Sequence, residues 1–132
     1  MSSMPKILIV DDNPLLCSSL KVFLSNRYSE IATANSGKEA IESLAADEFD
    51  LILLDVVMPE MSGYRVLDYI NTHGLKTSVI LITGYAPIEL AKEAPPKGTY
   101  DCLMKPFDLD KLVATVENAL SKNGFEKQPE VN

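Results

Sequence analysis

Three runs of four apolar residues each constrain this chain more than any other feature. "ILIV" at 7–10, "LILL" at 51–54 and "VILI" at 79–82 contain no polar residue. A strand built from any of them has no face to give to water. Sheets with one wet face read as alternation, whereas unbroken apolar runs belong to parallel sheets covered on both sides. The candidate strands are therefore residues 6–10, 31–34, 51–54, 79–82 and, with a weaker pattern, 100–104.

Between these runs the period lengthens to that of a helix. Leu16, Leu20, Phe23 and Leu24 recur at i, i+4, i+7 and i+8, and Ala40, Ile41, Leu44 and Ala45 follow similar offsets. Start signals stand where they are needed. Asn13 precedes Pro14, Ser36 forms a capping-box pattern with Glu39, Ser62 precedes the third helix, and Asp108 precedes Leu112, Val113, Val116 and Leu120. A short fourth helix is expected over roughly residues 87–94, closing at Pro95-Pro96. Five strands alternating with five helices predict an α/β fold, a doubly wound five-stranded parallel sheet. A length of 132 residues, 46% of them hydrophobic, suits a single packed domain, expected over 1–122. The last ten residues, "NGFEKQPEVN", read as a polar C-terminal tail over 123–132.

A net charge of −7 argues against direct nucleic-acid binding and against an anionic-lipid surface, because both need clustered Lys and Arg. Cys17 and Cys102 stand alone, without the spacing of a zinc site or the number needed for a disulfide framework. There is no apolar run long enough to span a bilayer and no secretory leader in "MSSMPK", so no membrane insertion and a cytoplasmic location are expected.

In open α/β sheets ligands bind outside the carboxyl ends of the strands. The first strand runs into Asp11-Asp12, the third into Asp55, the fourth into Thr83-Gly84 and the fifth into Lys105-Pro106. Each alone has an ordinary explanation as turn or cap chemistry. Three carboxylates, one hydroxyl and one ammonium at the same edge fit a hard divalent cation, Mg²⁺, which takes oxygen ligands and keeps part of its water. Asp12 and Asp55 are expected to bind it directly, and Asp11 through a water or a hydrogen bond to a ligand. An Asp carboxylate can also attack phosphorus while a cation and a Lys neutralise the transferring group. This assigns Asp55 as nucleophile, Lys105 as counter-charge and Thr83 as hydroxyl donor to a phosphoryl oxygen.

Through "ILIVDD", "LILLDVVMPEMSGYRVL", "VILITG" and "KPF", the chain resembles the receiver domains of two-component response regulators, the family that includes chemotaxis regulators, from about residue 5 to residue 120. The resemblance implies a flavodoxin-like sheet of order 2-1-3-4-5 and phosphoryl transfer from a histidine-kinase phosphohistidine to Asp55. It further implies Mg²⁺ held by Asp12, Asp55 and the backbone carbonyl of Val57, and a cis peptide at Lys105-Pro106. The implied partners are a histidine kinase or phosphotransfer protein and a downstream protein target, switched through the fourth helix, fifth strand and fifth helix. Apart from self-phosphotransfer and autodephosphorylation no enzyme activity is expected. Homodimerisation through the fourth and fifth helices is common in the family and leaves no mark in this sequence.

The chain departs from that family at three positions. Where receivers commonly carry a Tyr or Phe that turns inward on activation, this chain has Cys102, and a thiol cannot make the same swing. Tyr100, two residues earlier, is expected on the same strand face and thus as a partial substitute. Val57 and Tyr85 flank the route of the hydrolytic water in the family and are poor water-orienting groups, so slow autodephosphorylation is expected. His73, the only histidine, fits the end of the third helix and has no transmitter motif around it. Cys17 falls within the apolar pattern of the first helix.

Three other readings compete. A receiver-like scaffold that binds a partner without phosphorylation is opposed by the intact set of Asp11, Asp12, Asp55, Thr83 and Lys105. A dehalogenase-type phosphohydrolase would need its nucleophile after the first strand, in a DxDxT pattern that is absent. A flavin site would need a neutral phosphate loop where this chain presents two carboxylates. Alternatively, the receiver belongs to a larger regulator or hybrid kinase.

Overall fold

The computed structural model describes residues 4–84 and 97–125. The five strands are β1 (Lys6–Val10), β2 (Glu30–Ala34), β3 (Leu51–Asp55), β4 (Ser78–Thr83) and β5 (Thr99–Met104). Helices α1 (Pro14–Leu24), α2 (Gly37–Ala46), α3 (Gly63–Thr72) and α4 (Leu109–Lys122) complete the described elements, α4 being the helix expected fifth. The helix expected over residues 87–94 lies outside the described residues, as does Tyr85.

All pairings are parallel and the sheet order is β2-β1-β3-β4-β5. Winding therefore reverses between β1 and β3, which makes their adjacent carboxyl ends the topological switch point. The apolar runs explain why the sheet is central. Ile7, Ile9, Leu51 and Leu53 pack on the α1/α4 face while Leu8, Val10, Ile52 and Leu54 pack on the α2/α3 face. All four residues of "LILL" are fully buried, each worth roughly 1.5–3 kcal/mol of hydrophobic transfer.

Each helix begins at its expected cap. Asn13 Oδ1 accepts the N–H groups of Leu15 and Leu16 at 3.0 and 3.2 Å, and the Oγ of Ser62 accepts that of Tyr64 at 3.0 Å. Asp108 accepts from Asp110 at 2.8 Å. Ser36 accepts from Glu39 at 3.1 Å, but the Glu39 carboxylate reaches back to the N–H of Asn35 at 2.9 Å instead of that of Ser36. The box is thus wider than the standard one by a residue.

One expectation is corrected. Val79 opposes Thr99 but Ile80 opposes Asp101, so β5 carries an extra residue at Tyr100. This bulge breaks the two-residue period: Tyr100 packs on the α1/α4 face and Cys102 on the α2/α3 face, so they do not share a face. An edge strand pairs on one side only and tolerates such an insertion. Beyond α4 the described chain continues to Phe125. Phe125 N–H bonds the carbonyl of Leu120 and Gly124 N–H that of Ser121, both at 3.0 Å, with Gly124 at φ +94°, which is a Schellman stop. Phe125 then packs on the α1/α4 core and Asn123 Nδ2 donates to Ser78 Oγ at 2.6 Å.

Candidate functional site

Asp11 lies one residue beyond the last β1 pair. Its N–H still reaches the carbonyl of Ala34 at 3.1 Å, while its Oδ1 accepts the N–H of Asn13 at 2.9 Å and so turns the chain into α1. Turn chemistry and site chemistry therefore fall on one side chain, because Oδ2 is left for the ammonium of Lys105 at 2.7 Å. Lys105 follows β5, where its N–H donates to the carbonyl of Thr83 at 2.7 Å and its peptide to Pro106 is cis. From there Nζ also lies 3.6 Å from Asp55 Oδ2.

Asp55 ends β3 beside Ile82 of β4, and the loop after it is pressed against the sheet. Val56 N–H bonds the carbonyl of Ile82 at 3.0 Å, and Gly63 N–H bonds that of Val56 at 2.8 Å. A Cβ on Gly63 would lie 2.2 Å from the carbonyl oxygen of Asp55, so glycine lets α3 start this close to the end of β3. Within the loop Glu60 has φ +68° and Met61 N–H reaches the carbonyl of Pro59 at 2.7 Å, a strained γ-turn centred on a non-glycine residue. Met61 is in turn seated on Gly37 of α2, where a Cβ would lie 2.7 Å from its sulfur.

Burial and charge then set the chemistry. Asp11 and Asp55 are each only 3% exposed, whereas Asp12 faces solvent. Burial, followed by the charge of Asp11, pushes the Asp55 carboxyl up to about 6, against the pull of Lys105 and of the Val57 N–H at 3.4 Å from Oδ1. For Lys105 burial works against the charge, but the contacts with Asp11 and Asp55 outweigh it and hold the ammonium above its ordinary range.

Oxygens of Asp11, Asp12 and Asp55 lie within 4.8 Å of one another. Three carboxylates against one ammonium leave the cluster short of positive charge, and its donors are all hard oxygens. This set fits a divalent cation of the Mg²⁺ kind.

Asp11, Asp12, Asp55 and Lys105 are thus brought together as expected, and Thr83, fully buried, ends β4 on the same edge. Val57 is 59% exposed just beyond Asp55. Cys102, half-buried, has its thiol raised above the ordinary value by burial and then by Asp101. Tyr100 instead lies under Lys122, whose Nζ is 5.6 Å from the ring centroid. His73 caps α3, its Nδ1 3.0 Å from the Tyr69 carbonyl and its ring stacked on that of Tyr69.

Sequence reading missed Asn35. Its Nδ2 donates to the carbonyl of Asp11 at 3.0 Å and lies 3.5 Å from the sulfur of Cys17, which itself reaches that carbonyl at 3.5 Å. The available signal was its position, directly after β2 at the same sheet edge. An apolar groove of about 500 Å³ also adjoins the site, lined by Leu16, Leu20 and Phe23 of α1 and by Pro106, Phe107 and Leu109, with Lys105 common to groove and cluster.

The sequence model of the family described as "Response regulator receiver domain" matches residues 7–117. The chain is 38% identical over 128 residues to Regulatory protein AtoC of Escherichia coli (strain K12), covering 97% of this chain and 28% of that protein. It is 38% identical over 127 residues to Transcriptional regulatory protein CrdR of Helicobacter pylori (strain ATCC 700392 / 26695), covering 96% of this chain and 60% of the relative. The chain thus spans between about a quarter and three fifths of the length of these relatives. Among solved structures, a CheY-like response regulator receiver domain protein from Methanospirillum hungatei JF-1 superposes with a TM-score of 0.84 at 28% identity, over 92% of this chain and 98% of that one. Response regulator protein TrrA from Thermotoga maritima, solved in complex with Mg²⁺-BeF, superposes with a TM-score of 0.76 at 30% identity, over 88% and 99%.

Proposed function

The chain belongs to the response regulator receiver domain family, and from that premise we propose that Asp55 accepts a phosphoryl group from the phosphohistidine of a histidine kinase or phosphotransfer protein. Phosphorylation-based signalling is the standard role of the family. The observation that carries the assignment to Asp55 is the pairing of a buried carboxylate with a half-buried counter-charge: Lys105 bridges Asp11 and Asp55 at 2.7 and 3.6 Å beside three clustered carboxylates.

In this reading an oxygen of Asp55 attacks phosphorus, the P–N bond breaks, and the imidazole leaves with the bonding pair. Lys105 is within reach of the oxygens that gain negative charge, and the Thr83 hydroxyl donates to one of them. Asp12 and Asp55, with the carbonyl of Val57, would hold Mg²⁺, and Asp11 would orient Lys105 and the ligands. When bound, the cation neutralises charge on the transferring group. The crystallised Mg²⁺-BeF complex of TrrA supports this choice of cation.

The apolar groove supports a protein donor, since a helix laid along Leu16, Phe23 and Leu109 would reach the site past Lys105. The output is a changed surface for a downstream protein, with no reaction on a separate substrate. Direct nucleic-acid contact is not assigned to this domain, whose chain carries a net charge of −7. Among the described residues no helix is long and apolar enough to cross a membrane, and we take the site of action to be cytoplasmic. Val57, exposed just beyond Asp55, has no polar group to orient an attacking water, and slow hydrolysis of the aspartyl phosphate is expected.

Incubation with Mg²⁺ and acetyl phosphate, followed by intact mass, tests the reading. One phosphoryl group on the wild type and none on Asp55→Asn is expected, with decay over minutes or longer. No adduct on either folded protein, and none after incubation with phosphorylated histidine kinases, would favour the phosphorylation-independent scaffold.

A further inference from the structure

We propose that Asn35 is a positioning residue for the acidic pair, acting through the peptide that joins Asp11 to Asp12. The inference rests on the receiver reading and adds to it a residue from a different element.

Backbone pairing of β1 to β2 ends with the Asp11 N–H on the carbonyl of Ala34. The next polar group, the Asp11 carbonyl, has no strand opposite it, yet it belongs to a residue only 3% exposed. A buried carbonyl without a ladder partner must be satisfied by a side chain. Asn35 supplies one at 3.0 Å, and the thiol of Cys17 a longer second one at 3.5 Å. A thiol is a weak donor, and at 3.5 Å it lies farther from the carbonyl than the amide does at 3.0 Å. The amide is therefore the principal anchor.

This carbonyl belongs to the peptide plane between the two acids. Rotation of the plane would swing the exposed Asp12 away from Asp11 and Asp55. Asn35 is itself fixed from behind, because its N–H donates to Glu39 at 2.9 Å and Glu39 is bound to the Ser36 cap of α2. The N-terminus of α2 is thereby connected to the orientation of Asp12. Groups that orient ligands commonly change metal affinity by 10–100-fold when removed.

The test is Mg²⁺ affinity by titration calorimetry, read without any phosphodonor, on wild type, Asn35→Leu and Asn35→Gln, with melting temperatures in the absence of the metal. Asn35→Leu keeps the size of the side chain and loses the donor; it is expected to bind Mg²⁺ about tenfold more weakly. Asn35→Gln retains an amide and is expected to recover part of that loss. Leu and Gln variants that melt below wild type but bind Mg²⁺ as tightly would reduce Asn35 to a structural role and overturn the proposal. If Asn35→Leu fails to fold, Asn35→Gln and Asn35→Ser decide by whether affinity follows the reach of the donor. A wild type that takes no Mg²⁺ overturns the receiver reading itself, a result distinguishable from equal affinity across the set.

Discussion

In the metal-free protein Asp55, raised to about 6 by burial and by Asp11, ionises against the preference of the fold. An unfolded chain releases this proton near pH 4. Between about pH 4 and pH 6 the folded state therefore holds more protons than the unfolded one, and this group's contribution to stability falls as pH rises through that window, then levels off. Asp55→Asn removes the ionisable group, and with no divalent cation it should stabilise the fold at pH 7 by on the order of 1–3 kcal/mol. Thermal melts of both proteins at pH 4 and pH 7 check this, with the advantage of the variant expected only at the higher pH. Asp11, Asp12, Asp55 and Lys105 were legible because carboxylates and a lysine directly after apolar runs have few structural reasons to gather at one edge. Asn35 was not, because an amide beside a capping box looks like ordinary turn chemistry.

At the scale of elements, the approach of α3 to β3 depends on a missing side chain. Gly63→Ala would drive a Cβ to 2.2 Å from the Asp55 carbonyl and force the helix or Asp55 to move. The expected cost is about 2–4 kcal/mol in urea unfolding, together with slower phosphoryl uptake, despite the better helix propensity of Ala. The bulge in β5 separates Tyr100 from Cys102 and gives the tyrosine a different task. Tyr100→Ala is expected to remove packing against α4 and the Lys122 contact, at about 1–3 kcal/mol, while partner discrimination between phosphorylated and unmodified protein stays unchanged. Strand existence and helix caps were legible here; the face of Tyr100 was not. A two-residue period carries no sign of an inserted residue, and only the pairing with Val79 and Ile80 reveals it.

For the whole molecule, a divalent cation at the switch point would offset the cost of ionising the buried Asp55. Mg²⁺ at a hundredfold excess over its dissociation constant should therefore stabilise the fold by about 2.7 kcal/mol. The resulting rise in melting temperature should be larger at pH 7 than at pH 5 and largely lost in Asp12→Ala; a rise independent of Asp12 would contradict the ligand set. By itself the sequence determined the parallel sheet, the burial of both its faces, the helix starts and the chemical character of the strand ends. These follow from each residue's relation to near neighbours in the chain, which periodicity and caps record. Only the tertiary structure decided that Lys105 bonds the Asp11 carboxylate across 94 residues, that Asn35 closes on the Asp11 carbonyl from 24 residues away, and that Phe125 packs against the core. Such contacts depend on sheet order, register and a bulge, and local pattern carries no information about which distant strand lies alongside.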